Sequence, residues 1–344
     1  MTTPGSLRAG AASGDLTGMI SGLRAFAIPM PVRFRGITVR EGALIEGPAG
    51  WGEFSPFAEY GPKESARWLA SAVESATHLW PAPVRDRIPV NVTVPAVGPE
   101  QAAAIVIEAG CRTAKVKVAE PGQDLAADVA RVAAVRDALG SRGRIRVDAN
   151  GGWDVQQASA ALTRLARYDL EYAEQPCPSV DDLKSLRVRL ARNGIDVPIA
   201  ADESIRKAED PIRVAREGAA DIVIVKVPPL GGVRRALEIS AECALPTVVS
   251  SALDSSVGMA AGVALAAALP QLPYACGLGT VELLATDVAH DRLVPVGGSV
   301  PVGPARADDD LVDAAGAAPD RVDWWRERVS SCHAYLLDRA AQRS

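Results

Sequence analysis

Histidine is scarce in this chain: there are three in 344 residues, His78, His290 and His333, and none lies near the end of an expected strand. A mechanism built on a histidine base or histidine metal ligands has little to draw on. The five cysteines (Cys111, Cys177, Cys243, Cys276 and Cys332) are odd in number and show no CxxC spacing. That argues against a disulfide framework or a zinc site and leaves them as small buried hydrophobes. Basic charge is not in excess, because the net charge is −5. No surface for nucleic acid or an anionic membrane is expected, and the partner is expected to be a small-molecule carboxylate substrate. Long apolar runs are missing too. The Ala-rich stretch 257–269 is short, contains glycine and ends at Pro270, so it reads as a buried helix rather than a membrane insertion. The opening MTTPGSLRAGAASGDLTGMI has no apolar core of a secretory signal. A disordered tail over 1–21 of a cytoplasmic protein is expected.

What is present is a rhythm. From about residue 88, β-branched runs at 88–94, 113–118, 144–148, 170–174, 197–202, 222–227, 246–251 and 274–279 alternate with longer segments. Of these, 123–139, 155–167, 180–193 and 231–243 have apolar residues at helical spacing. Strand–helix alternation implies parallel strands covered by helices. Eight runs fit an α/β fold of the (β/α)8 TIM-barrel type over 88–300, with a doubly wound sheet as the alternative. Positions 22–87 read differently: strands at 32–34, 37–45 and 51–54, then a helix at 63–80. This is a small N-terminal α+β domain placed to cap the barrel. A helical C-terminal segment within 301–344, carrying Trp324 and Trp325, is expected to pack back on that domain or on the barrel.

The polar residues that end the runs are spaced by about one strand–helix unit. Lys117 to Asp148 is 31 residues, then 26 to Glu174, 28 to Asp202, 24 to Lys226 and 24 to Ser250. In a barrel these ends converge on one mouth. Asp148, Glu174 and Asp202 are three hard oxygen ligands suited to Mg²⁺, with Mn²⁺ able to substitute. Helix capping is the other reading for any one of them alone. Lys115 and Lys117 are two apart on a strand and point to one face, the barrel interior, and Lys226 stands across the ring. Buried lysines are costly unless paired or functional. Lysines in this setting are expected to have lowered pKa values that suit a general base, with Lys115 tuning Lys117. The reaction type that follows is removal of a proton next to a metal-bound carboxylate by a lysine. Metal and a second cation support the charge that develops, as in enolase-superfamily sites.

The stretches TAKVKVAE, VDANGGW, EQPC, ADES and VKVPPLGG resemble the muconate-lactonizing subgroup of the enolase superfamily. SSALDSSVG, ACGLGT, RFRGIT and GWGEFSPFAEYGP resemble the o-succinylbenzoate synthases of actinobacterial type, and the likeness covers about residues 22–340. The resemblance implies that Asp148, Glu174 and Asp202 bind Mg²⁺. Lys117 would serve as base and then acid, and Lys226 would stabilise the enediolate. The reaction implied is syn dehydration of 2-succinyl-6-hydroxy-2,4-cyclohexadiene-1-carboxylate to 2-succinylbenzoate in menaquinone biosynthesis. It also implies a supporting acid at Glu203 that holds a lysine, and an ordering role for Asn150. A mobile loop at Phe34, Arg35 and Gly36 would close the mouth, with Arg35 either meeting a carboxylate or simply solvated. Ser250, Ser251 and Ser255 would meet the succinyl carboxylate, or else cap the following helix. Gly277 and Gly279 read as a close-approach loop. The rival within the subgroup is an N-acylamino-acid racemase, a dipeptide epimerase or a lactonizing enzyme. Dipeptide epimerases usually carry an acidic clamp near the eighth strand end, which here reads CGLGTVELL.

Overall fold

The computed structural model describes residues 18–19, 22–207 and 210–342. The tail expected over 1–21 lies outside the described residues except for Gly18 and Met19, and Met19 packs against the core.

The β-branched runs form seven parallel strands in chain order: β5 (Val92–Val94), β6 (Thr113–Lys117), β7 (Arg144–Asp148), β8 (Leu170–Glu174), β9 (Ile199–Ala201), β10 (Ile222–Val225) and β11 (Thr247–Val249). Neighbours in sequence are neighbours in the sheet, as crossover connections through helices require. Three of those helices start where the sequence supplies caps. Asp124 accepts from the Ala127 amide ahead of Leu125–Leu139, and Ser179 accepts from Asp182 ahead of Val180–Arg192. Asp154 and Gln157 make a reciprocal capping box ahead of Val155–Leu165.

The eighth run departs from expectation. Instead of a strand over 274–279 there are two single parallel bridges, Val90 to Cys276 and Ser250 to Gly277. The Cys276 amide donates to Pro89 O at 2.7 Å and the Gly277 amide to Val249 O at 2.8 Å. These bonds close the ring between β5 and β11. The segment must approach closely to do so: a Cβ on Gly277 would stand 2.5 Å from Ser250 Oγ. The first run is also divided. Its beginning, β4 (Arg87–Pro89), pairs antiparallel with β12 (Ser299–Pro301), and only Val92–Val94 joins the barrel.

The small domain is an antiparallel meander of β1 (Arg24–Phe34), β2 (Ile37–Gly47) and β3 (Gly50–Phe54), backed by α1 (Pro62–Thr77). β1 starts eight residues earlier than expected. Pro29 and Pro31 break its alternation, and it tolerates them because it lies at the sheet edge with a register shift after Pro29. The helix Ser256–Ala268 is buried on nearly every side, in keeping with its Ala-rich run, and touches both β3 and β11. The last helix, Pro319–Ala341, packs on α1 and β1, and Trp325 meets Phe54 edge-on at 5.7 Å. Among the described residues no helix is long and apolar enough to cross a membrane. All five cysteines are buried and unbridged.

Candidate active site

Strand register assembles the rim. Lys117 is paired with Asp148 across β6 and β7, and Asp148 with Glu174 across β7 and β8. Asp202 follows β9 directly, Lys226 follows β10 and Ser250 follows β11. The side chains of Asp148, Glu174, Asp202, Lys115 and Lys226 are buried, and Lys117 is partly so.

Ammonium groups compensate the carboxylates. Lys115 Nζ donates to Asp148 Oδ2 at 3.0 Å and to Glu174 Oε1 at 2.9 Å. Lys117 Nζ donates to the same Asp148 oxygen and to Asn150 Oδ1, both at 2.6 Å. Lys226 Nζ pairs with Asp202 Oδ2. Arg206, four residues after Asp202, brings Nε to 3.2 Å from Asp202 Oδ1. Arg206 also bonds Glu203 at 2.6 Å and the Tyr60 hydroxyl of the small domain at 3.2 Å.

The protonation balance follows from these contacts. Burial pushes the Asp148 carboxyl up, but Lys115 and Lys117 overrule it and hold it well below the usual range. Burial likewise raises Asp202, but Lys226 and Arg206 bring it down to about 2. Glu174 goes the other way, to about 7, because burial and the Asp148 charge outweigh Lys115. Burial lowers Lys226 more than Asp202 raises it. Lys115 corrects the expectation of lowered lysines: burial pulls it down, yet Asp148 and Glu174 together hold it well above the ordinary value. It is a firmly charged spacer between two carboxylates.

The donor set suits a hard dication: three carboxylates on adjacent strand ends, with Asp202 Oδ1 buried and without a hydrogen bond. In the arrangement described, no three of the described His, Cys, Asp or Glu side chains form a group that could hold an ion. The lysines take the carboxylate oxygens that a cation would share.

One cavity opens onto this network. Its wall includes Lys115, Lys117, Asp148, Asn150, Arg206 and Lys226, together with Ser250, Ser251, Leu253, Gly277 and Thr280, and Phe34 and Arg35 from the small domain. Arg35 is exposed and lies over the Phe57 ring at 4.3 Å. Asn150, held at φ 47°, donates its amide to Asp148 Oδ1 at 3.1 Å and its side-chain amide to Glu203 Oε1 at 3.2 Å. Glu203 therefore bonds Asn150 and Arg206 rather than the lysine it was expected to hold. Ser255 does not line the cavity. It caps Ser256–Ala268 and bonds Glu53, so the capping alternative describes it. Ser251 bonds Thr280, a residue that the sequence reading did not single out. Arg206 was also missed, although its i,i+4 spacing from Asp202 was visible. Gln175 was missed as well: its Oε1 accepts the Asp202 amide at 2.9 Å and so fixes the chain at Asp202.

Two family models match the chain: one described as Enolase N-terminal domain-like over residues 25–76, and one described as Enolase C-terminal domain-like over residues 99–306. A protein of Thermobifida fusca named o-succinylbenzoate synthase is 66% identical over 81% of this chain and 86% of its own length. One of Mycolicibacterium smegmatis with the same name is 56% identical over 93% of this chain and 98% of its own length. Among solved structures, the muconate lactonizing enzyme of Pseudomonas fluorescens aligns with a TM-score of 0.73 at 22% identity, over 86% of this chain and 98% of that one. The N-succinyl Arg/Lys racemase of Bacillus cereus aligns at 0.72 with 19% identity, over 86% and 97%. Those two likenesses speak to the fold, whereas the first two reach the family: the chain belongs to the o-succinylbenzoate synthases, built on the modified barrel and capping domain of the enolase superfamily.

Proposed function

We propose that this chain is a hydro-lyase that converts 2-succinyl-6-hydroxy-2,4-cyclohexadiene-1-carboxylate to 2-succinylbenzoate, a step of menaquinone biosynthesis. The observation that carries the reading is Lys117 and Lys226 lining one cavity together with Asp148, beside the buried Glu174 and Asp202. Asp148, Glu174 and Asp202 would hold Mg²⁺, or Mn²⁺ through the same oxygens. The bound ion supplies Lewis-acid stabilisation of charge on the substrate carboxylate.

This chain's own residues account for the proton traffic. Lys117 takes the proton from the carbon next to the carboxylate, and its Nζ is oriented for this by Asp148 and Asn150 at 2.6 Å each. The same nitrogen then returns that proton to the departing hydroxyl on the adjacent carbon. Water leaves and the ring becomes aromatic. One lysine on one face is enough for a syn elimination. Lys226, on the other side, supports the negative charge that builds on the substrate. Phe34 and Arg35 of the small domain line the same cavity and would limit the entry of water during turnover.

Two lysines on one cavity also suit proton exchange at both faces of an N-succinylamino acid, and one assay separates the readings. The purified chain is given freshly made cyclohexadiene substrate, with Mg²⁺ or with EDTA, and loss of the diene absorbance is followed. Turnover that needs the metal is expected. No turnover, together with racemisation of N-succinylamino acids, would overturn the dehydration reading.

A further inference from the structure

Two charged side chains of the small domain, Arg40 on β2 and Glu53 on β3, are buried 213 and 202 residues away in sequence from the loop they grip. Arg40 Nε donates to Leu253 O at 2.7 Å, and its Nη2 lies 3.5 Å from Ala252 O. The same Nη2 reaches Ser55 Oγ at 2.9 Å, and Ser55 Oγ donates to Glu53 Oε1 at 2.6 Å. Glu53 then receives the Ser255 hydroxyl, the Ser255 amide at 3.2 Å and the Gly258 amide at 3.0 Å. Fit at Gly258 is tight: a Cβ there would stand 2.8 Å from Glu53 Oε2. Charges taken out of water like this are no cheap source of stability, since apolar side chains of similar volume often serve as well. What the pair does specify is a conformation.

That conformation is unusual and faces the cavity. Leu253 has φ 68°, the left-handed region, which a leucine leaves unless its surroundings hold it. Its carbonyl is held by Arg40, and its amide donates to Ser251 Oγ at 3.2 Å. Ser251 Oγ in turn meets Thr280 Oγ1. The cavity wall formed by Ser250, Ser251, Ala252 and Leu253 is thus pinned from behind by the small domain. This wall carries uncharged hydroxyls and lines the same cavity as Lys115, Lys117, Asp148 and Lys226.

We propose that Arg40 and Glu53 are positioning residues for substrate recognition: they hold the 250–253 wall in the shape that receives the second carboxylate of the substrate, on its succinyl arm. The proposal rests on the dehydration reading for the identity of that carboxylate. Neither residue touches the reacting atoms, and both act through the loop.

The test uses the full chain with Mg²⁺ and the variants Arg40→Lys and Glu53→Gln. Arg40→Lys keeps the charge and loses the planar fork. Glu53→Gln keeps the size and serves if the first variant does not fold. Steady-state constants are measured for the cyclohexadiene substrate and for an analogue with the succinyl carboxylate as its methyl ester. The expected result is KM for the diacid raised about tenfold, kcat changed less than about threefold, and a preference for diacid over ester lowered about tenfold. Amide hydrogen exchange over 250–258 is expected to speed up in the same variants. Unchanged KM, or equal losses on diacid and ester, would overturn the proposal and leave a structural role alone. Wild-type enzyme inactive on the diene would remove the dehydration reading instead. In that case unchanged exchange over 250–258 in the variants would remove the positioning role as well.

Discussion

Replacing Lys115 with methionine separates charge compensation from chemistry. The methionine fills the space of the lysine stem and removes one ammonium. That ammonium now bonds Asp148 Oδ2 at 3.0 Å and Glu174 Oε1 at 2.9 Å, in surroundings where all three side chains are almost fully buried. Asp148 keeps Lys117 at 2.6 Å. Glu174 loses the cation on its Oε1 and keeps the Asp148 charge beside it. Removing one partner of a buried pair costs about 3–5 kcal/mol, much of it from the charge left behind. At about 2–4 °C per kcal/mol for a unit of barrel size, the melting temperature should fall by on the order of 10 °C. The direction with pH is fixed by Glu174. Its carboxyl is already raised to about 7 by burial and by Asp148, and without Lys115 it rises further. A carboxyl raised in the folded state binds more protons there than in the unfolded chain. Its contribution to stability is therefore present at low pH and is lost as pH rises through the folded-state value. The deficit of the variant should be larger at pH 8 than at pH 6. Thermal melts followed by circular dichroism in EDTA measure it, and saturating Mg²⁺ should narrow it, since a bound dication stabilises the folded form and neutralises the same carboxylates. A variant that melts within about 2 °C of wild type at pH 8 in EDTA would refute the reasoning, because 3–5 kcal/mol cannot hide in so small a shift.

Lys117→Ala should lower kcat by about 10²–10⁴ or more while the Mg²⁺-dependent rise in melting temperature persists; loss of the metal response with turnover retained would mean that its role is misassigned. Asp254 is raised to about 7 by burial and by Glu53, so the stability it contributes should be lost as pH climbs from the ordinary carboxylate range through that value. Asp254→Asn should flatten this dependence in melts between pH 5 and 8, and an unchanged slope would contradict the assignment. Gly52→Ala puts a Cβ 1.9 Å from the Ala72 carbonyl oxygen on α1, which cannot swing away as a side chain does. A loss of about 1–3 kcal/mol is expected from denaturant unfolding, and an unchanged midpoint would contradict the close packing of α1 on β3.

The rim was legible in the sequence because parallel strands in chain order turn linear spacing into spatial order. Lys117, Asp148 and Glu174 each end a run, and register then sets them side by side. Lys115 was legible as an inward lysine, but not in its protonation. The outcome depends on two carboxylates within about 3 Å of it outweighing burial, and spacing alone does not give those distances. Ser255 read either as a cavity hydroxyl or as a cap of the following helix; the structure shows the capping role and adds Glu53, which the sequence pattern did not point to. The eighth strand was overread because its bridging residues obey the apolar pattern, while Gly277 and Gly279 mark an irregular close approach instead of a ladder. The grip of Arg40 on Leu253 joins residues 213 apart and has no local signature at all.

These differences divide the site into two parts held by different forces. The charged rim is fixed by backbone ladders of regular strands, so its geometry persists in any barrel that keeps the register. The uncharged wall at 250–253 hangs on single bridges to the eighth segment and on side chains from another domain. Solved barrels near 20% identity, a racemase and a lactonizing enzyme among them, superpose on this chain with TM-scores above 0.7. Shared fold therefore goes with different named activities, and the fold does not choose between them. The positioning role proposed for Arg40 and Glu53 assigns that choice to the part that the ladders do not fix. In this chain that part is the wall at 250–253, whose backbone and neighbouring helix start are held by Arg40 and Glu53 rather than by strand ladders.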